Sequence, residues 1–376
     1  MKFILHLTKE CNLRCAYCYA GKHGETLAMT DEIAFRAVDM AISEGKNNAC
    51  ISFFGGEPLL KFPQIKTISE YALKQGIEKK CKIHFRMSTN GTLFTEEILE
   101  FCRKNKVYFA LSLDGNKESH DLSRHLPDGS SSFDIIDSKL DMILTYNPYT
   151  VVTHVITPDN VYFVSDSMNW MWERGLRFVA HQVDFSDERW TPELFVILKK
   201  QYEELGKWYL KAARSGTHFF MTLFDEKLKT HINAPIFVGD VCDFGRTKVS
   251  VAPDGTIFPC VRFVSDDPDS LNYVIGNVGT GFTKSREYWI MKNLEGRPQC
   301  DGCSLVGRCA NYCGCTNWTT TGSINEVSPV LCEHEKMVIE IADNLGEILW
   351  KEKNPWFIAK HYKVKPELLD LLIEKD

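Results

Sequence analysis

Six strand-like segments separated by helix-period stretches constrain the first half of this chain more than any other feature. The strand candidates fall at 3–7, 49–54, 82–88, 107–113, 150–156 and 178–183. The helical stretches fall at 31–44, 63–75, 96–104, 133–145 and 161–174. Strands alternating with helices of this length predict an α/β fold with a parallel sheet and helical crossovers, either an incomplete (β/α)6 TIM-like barrel or an open doubly wound sheet. Thr30-Asp31-Glu32 has the chemistry of an N-cap followed by acids in the first turn. A long helix is predicted over 192–215. From about Ala234 the character changes to Gly, Pro and Cys punctuation, with Pro253-Asp254-Gly255 turning a tight hairpin between 249–252 and 256–259. An amphipathic helix over 333–350 and a charged tail close the chain.

The 14 cysteines are unevenly placed: three at the start, eight between Cys242 and Cys332, and Cys50, Cys81 and Cys102 scattered. The scattered three sit in apolar surroundings and read as small buried hydrophobes. Met1 to His6 run straight into the first cysteines, which leaves no room for a cleavable signal peptide. A reducing, cytoplasmic setting is therefore expected, where clustered cysteines are metal ligands rather than disulfides. The net charge of −6 argues against a nucleic-acid backbone binder, and no apolar run is long enough to span a membrane.

Cys11, Cys15 and Cys18 fall in a C-x3-C-x2-C spacing directly after the first strand. A closed [4Fe–4S] cluster takes four cysteines, so three thiolates leave one iron open to a small molecule. A zinc site completed by His6 or His23 is the alternative from this segment alone. The motif resembles that of the radical S-adenosylmethionine (SAM) superfamily. The resemblance implies a partial (β/α)6 barrel, SAM on the open iron, and a 5′-deoxyadenosyl radical that abstracts hydrogen from an unactivated C–H bond.

Sites on parallel α/β folds collect at the C-terminal ends of the strands. After the second strand stands Gly55-Gly56-Glu57-Pro58, where adjacent glycines permit close backbone approach to a ligand and Glu57 supplies an acceptor. After the third and fourth strands come Ser88-Thr89-Asn90-Gly91 and Ser112-Leu113-Asp114-Gly115; Ser88, Asn90, Ser112 and Asp114 suit ribose and carboxylate contacts, and ordinary turn chemistry is the bland alternative. In the resembled family the GGEP segment holds the SAM amino group. His120-Asp121-Leu122-Ser123-Arg124 resembles the HDxxR segment of the peptide-modifying branch, which implies that Arg124 meets the SAM carboxylate. Tyr17 resembles the aromatic that lies against the adenine. His154, His181, Gln182 and Asp184 are candidates on later strands, with their faces unassigned.

Cys242, Gly255 and Cys260 form C-x12-G-x4-C, and Cys300, Cys303, Cys309 and Cys313 form C-x2-C-x5-C-x3-C, completed by Cys332. The pattern resembles the SPASM domain, which implies two auxiliary [4Fe–4S] clusters, hence three clusters with SAM as cofactors. By that resemblance Cys300, Cys303, Cys309 and Cys332 hold the distal cluster, and Cys242, Cys260 and Cys313 the nearer one. The nearer cluster then has either an open iron or the additional Cys315 as ligand. Paired zinc knuckles are the alternative. The resemblance covers residues 3–335. The expected division is a barrel over 1–215, a linker over 216–234, a cluster domain over 235–335 and a helical tail over 336–376.

The function so implied is a radical SAM/SPASM oxidoreductase that modifies a peptide side chain, as in thioether or C–C crosslinking during ribosomal-peptide maturation. Anaerobic sulfatase maturation, which makes formylglycine, is the second reading, with Asp184 as the candidate base. A non-catalytic zinc-binding interaction protein is the rival of another class. Expected partners are a peptide or protein substrate, an electron donor such as flavodoxin or ferredoxin, and a separate leader-peptide-binding protein, because no leader-gripping segment precedes the first strand.

Overall fold

The computed structural model describes residues 1–20, 27–232, 242–265 and 267–362. Seven parallel strands run in chain order across the sheet: β1 Lys2–His6, β2 Asn48–Phe54, β3 Lys82–Thr89, β4 Val107–Ser112, β5 Val151–Ile156, β6 Phe178–Val183 and β7 Phe220–Met221. The helices between them are α1 Asp31–Gly45, α2 Phe62–Glu78, α3 Glu96–Asn105, α4 Lys117–His120, α5 Phe133–Asp137, α6 Leu140–Tyr146, α7 Val164–Glu173 and α8 Pro192–Arg214. The six predicted strands are therefore present within a residue or two. The helical stretch at 133–145 is split: α5 ends at Asp137, and Lys139 sends its ammonium to the carbonyls of Thr92 and Phe94, at 2.7 and 2.9 Å.

The local chemistry explains the elements. Thr30 accepts a hydrogen bond from Ile33 N, with Asp31 and Glu32 in the first turn of α1, and Ala34, Ala37, Val38, Ala41 and Ile42 form its buried stripe. That stripe meets Phe3, Leu5 and Leu7, the positions of β1 and its extension that point to the helical layer. The helices pack on this side of the sheet, which leaves the other face of the strands to the site.

Three features add to the sequence expectation. Residues 216–234 are not a plain linker, because β7 and α9 Thr222–Ile232 occupy most of them. A two-residue strand is too short to leave a periodic signal, and it forms because β6 offers a free parallel edge. The cysteine-rich region does not form a separate sheet. Its hairpin, β8 Lys248–Val251 and β9 Thr256–Phe258, joins β1 through parallel β8 pairing, and β10 Gly276–Asn277 and β11 Gly281–Phe282 extend the same open sheet. Of the helical tail expected over 336–376, the described part is helical and packed, and residues 363–376 lie outside the described residues. α12 Pro329–Lys351, capped by Ser328, begins before Cys332 and lies against α8 and α9. A Cβ at Gly346 would stand 2.8 Å from Leu228 Cδ2, so glycine sets the close approach of α12 to α9. α10 Lys284–Leu294, α11 Gly314–Thr321 and α13 Pro355–His361 complete the helices. Among the described residues no helix is long and apolar enough to cross a membrane.

Three core histidines make stability depend on pH. Burial holds His6 and His120 down at about 3 and His154 at about 4, with Asp114 opposing the effect at the last two. The folded values lie below the unfolded value near 6.5, so below that pH the unfolded chain binds more protons. Their contribution is full above about pH 6.5 and is lost as pH falls towards 4, by up to about 1.4 kcal/mol per pH unit for each histidine. The urea midpoint is expected to drop clearly between pH 7.5 and pH 5; an unchanged midpoint would contradict this.

Candidate active site

The loop after β1 is fastened on two sides. Thr8 O and Glu10 O accept hydrogen bonds from Gly56 N and Glu57 N, both at 2.8 Å, and Arg14 N and Ala16 N donate to His125 O and Ser123 O. A Cβ on Gly55, whose φ is +127°, would lie 2.4 Å from Thr8 O, and one on Gly56 2.0 Å from Glu10 O. The close approach that these glycines permit is thus to the backbone of the cysteine loop itself, a refinement of the sequence reading.

This loop opens into a cavity of about 560 Å³ at the C-terminal ends of the strands. Cys11, Cys15, Cys18, Tyr17, Gly55, Gly56, Glu57, Ser88, Asn90, Ser112 and Arg124 all line it. Sulfur receives donors there: Leu13 N and Asn90 Nδ2 point at Cys11 Sγ, at 3.4 and 3.9 Å, and Arg124 Nη1 at Cys15 Sγ, at 3.8 Å. Burial pushes the Cys11 thiol up to about 11 and raises that of Cys15. Thiolates in such a place call for a bound cation or cluster to hold their charge.

Glu57 is buried and its carboxylate is largely occupied. Oε1 accepts from Leu59 N and Thr89 Oγ1, at 3.0 and 2.7 Å, and Oε2 from Asn90 N at 2.8 Å. Burial pushes its carboxyl up to about 7 against these bonds. It ties the β2 loop to the end of β3, and one lone-pair site on Oε2 is left for a cationic group.

Asp114 does not line the cavity. It is fully buried behind it and positions two residues that do. Tyr17 OH donates to Oδ2, Arg124 Nε donates to Oδ2 at 2.8 Å, and Val155 N donates to Oδ1 at 2.9 Å. Burial pushes the carboxyl up, yet Arg124, with His120 and His154, holds it below the ordinary range. Asp114 N donates to His120 Nδ1, so His120 Nε2 carries the proton towards Ser132 Oγ at 2.9 Å, and Ser132 Oγ donates to Arg124 O at 2.8 Å. The HDxxR segment is thereby a closed ring of bonds that fixes Arg124.

On β5, Thr153 and Val155 line the cavity and the intervening His154 faces the other way. His154 stands opposite His181 in register, their rings 5.2 Å apart edge to face, and His181 borders the cavity beside Gln182. Asp184 is not brought to the site. Its carboxylate accepts from Ser186 N and Oγ in a turn beyond β6, and it does not line the cavity.

The second cysteine region reaches the same cavity through Cys260, Cys313 and Cys315. Cys300, Cys303, Cys309 and Cys332 form a separate neighbourhood, in which Asn311 Nδ2 donates to Cys300 Sγ at 3.5 Å. Sequence reasoning missed Arg262, which lies 5.3 Å over the Tyr19 ring, and Glu335, which pairs with Lys227 at 2.5 Å. Both line the cavity, and their one signal was a position two or three residues after a clustered cysteine. Burial pushes the Glu335 carboxyl up, but His334 and Lys227 hold it at about 2. The donors that border the cavity at either end are all thiols, Cys11, Cys15 and Cys18 at one and Cys260, Cys313 and Cys315 at the other, which is the donor chemistry that [4Fe–4S] clusters take.

This architecture, a parallel sheet with a three-cysteine loop opening at its C-terminal edge, is that of a radical SAM domain: residues 5–161 match the family model described as the Radical SAM superfamily. Over 335 residues the chain is 24% identical to the cysteine-type anaerobic sulfatase-maturating enzyme of Clostridium perfringens, covering 81% of this chain and 85% of that protein. It is 23% identical over 372 residues to the radical SAM cyclopropyl synthase TigE of Paramaledivibacter caminithermalis, covering 93% and 74%. The fold matches the solved structure of native anSMEcpe with bound AdoMet and the Cp18Cys peptide, with a TM-score of 0.78 at 22% identity over 93% of this chain and 99% of that one.

Proposed function

We propose that the chain is a radical SAM maturase that oxidatively modifies a side chain of a peptide or protein. The observation that carries this is a single cavity bordered at one end by Cys11, Cys15 and Cys18 and at the other by Cys260, Cys313 and Cys315. Bound there, a [4Fe–4S] cluster and SAM would supply radical chemistry for hydrogen abstraction. Cys11, Cys15 and Cys18 would hold that cluster. Glu57 presents its remaining acceptor to an ammonium group, and Arg124, held in plane by Asp114, presents its guanidinium to a carboxylate. Ser88, Asn90 and Ser112 line the wall between them, where hydroxyl groups are matched. Tyr17, Phe54 and Val155 contribute apolar wall to the cavity, which limits water contact and side reactions there. Asp184 is not offered as the base, because its carboxylate is committed to Ser186.

The peptide reading draws on the peptide bound to anSMEcpe. Sulfatase maturation is the second reading, favoured by the coverage of the Clostridium relative. Anaerobic purification and reconstitution test the class. Iron and sulfide near twelve of each per chain, roughly three [4Fe–4S] sites, are expected. Colourless protein with zinc would overturn the proposal. A short cysteine-containing peptide then separates the two readings: an aldehyde product supports sulfatase maturation, and a crosslink supports peptide maturation.

A further inference from the structure

We infer that Cys315 is the fourth ligand of the auxiliary cluster nearer the cavity, so that this cluster has no open iron. The inference rests on the cluster reading of the second cysteine region given above, and extends it to a residue outside the seven-cysteine spacing.

Four free thiols lie side by side. Cys242 is within hydrogen-bonding reach of Cys313, Cys313 Sγ lies 3.6 Å from Cys315 Sγ, and Cys315 is within hydrogen-bonding reach of Cys260. Cys315 is only 5% exposed and sits at the start of α11, two residues from Cys313. The intervening residue must be Gly314, since a Cβ there would lie 2.3 Å from Asn293 Oδ1 and 2.8 Å from the Phe244 ring. Asn293 in turn donates to Cys242 O and Tyr312 O, at 3.1 and 3.5 Å, which clamps the two cysteine loops together. The glycine therefore lets the turn close against the clamp with both sulfurs on the side of Cys260. The other four cysteines of this half, Cys300, Cys303, Cys309 and Cys332, make up the second neighbourhood, so Cys315 is the one thiol left to complete the first. A substrate in the cavity then meets this cluster across space, beside Arg262, without a bond to its iron.

The test uses the full chain carrying Cys11→Ala, Cys15→Ala and Cys18→Ala together, which removes the first cluster. After anaerobic reconstitution this protein is expected to hold roughly eight irons, and the paramagnetic resonance of its reduced form is expected not to respond to added 2-mercaptoethanol. Adding Cys315→Ala is expected to lower the iron content by about one per chain and to create a signal that shifts with the added thiol. Cys315→Ser, nearly the same size, is expected to retain iron with an altered spectrum, which separates ligation from packing. Cys102→Ala, another buried thiol, is expected to change nothing. Unchanged iron and spectrum in Cys315→Ala, or a thiol-responsive signal while Cys315 is present, would overturn the assignment. Absence of iron from the parent triple variant would overturn the cluster reading with it.

Discussion

Replacing Arg124 with alanine is expected to cost the fold about 3–5 kcal/mol. Arg124 and Asp114 are 7% and 0% exposed as side chains and 2.8 Å apart, so neither charge has water to fall back on. Removing the guanidinium leaves the carboxylate with Tyr17 OH and Val155 N alone. It also withdraws the donor from Cys15 Sγ and the cation beneath the Tyr17 ring. Asp114→Asn combined with Arg124→Met removes both charges and is expected to recover more than half of the loss, because the penalty comes from the stranded partner. Urea midpoints of Arg124→Met, Asp114→Asn and the double variant measure this. Additive losses would show that the pair is not coupled.

Gly56→Ala is expected to be nearly as damaging, for a purely steric reason. The new methyl group would lie 2.0 Å from Glu10 O, 2.5 Å from Glu10 C and 2.8 Å from Lys9 O, all backbone atoms that no rotamer change can move. The cysteine loop must shift, which breaks the bonds from Gly56 N and Glu57 N that fasten it. A cost of about 3 kcal/mol, at the upper end of overpacking, is expected together with loss of iron from the first site. Gly129→Ala provides the contrast. Gly129 has φ +82° but nothing within 4 Å of its Cβ position, so only backbone strain of about 1 kcal/mol applies. Equal losses in the two variants would mean that the Gly56 contact does not hold the loop.

The parts of the molecule that were legible in the sequence are those with a local signature. Strands β1 to β6 alternate with helices long enough to show a period, and the three-cysteine loop follows β1 directly. What was not legible depends on distant partners. The parallel pairing of β8 with β1 joins Lys248–Val251 to Lys2–Leu5, and nothing in either segment names the other. Asp114 had the composition of a ligand contact but is a buried anchor, because its strand-end position turns it behind Arg124 rather than into the cavity. Asp184 was chosen from its place at the end of β6, yet one residue beyond a strand a carboxylate is as well served by its own turn, here Ser186. That His154 and His181 stand side by side became clear only from register, since alternation within one strand leaves inward and outward equivalent.

The proposed function requires Cys11, Cys15 and Cys18 to hold a cluster with one iron open to SAM. The most direct measurement is the paramagnetic resonance spectrum of the reduced, iron-loaded protein with and without SAM, alongside the Cys15→Ala variant. The expected result is a component that changes when SAM is added and is missing from the variant. A spectrum indifferent to SAM, or one that Cys15→Ala leaves unaltered, would contradict the account.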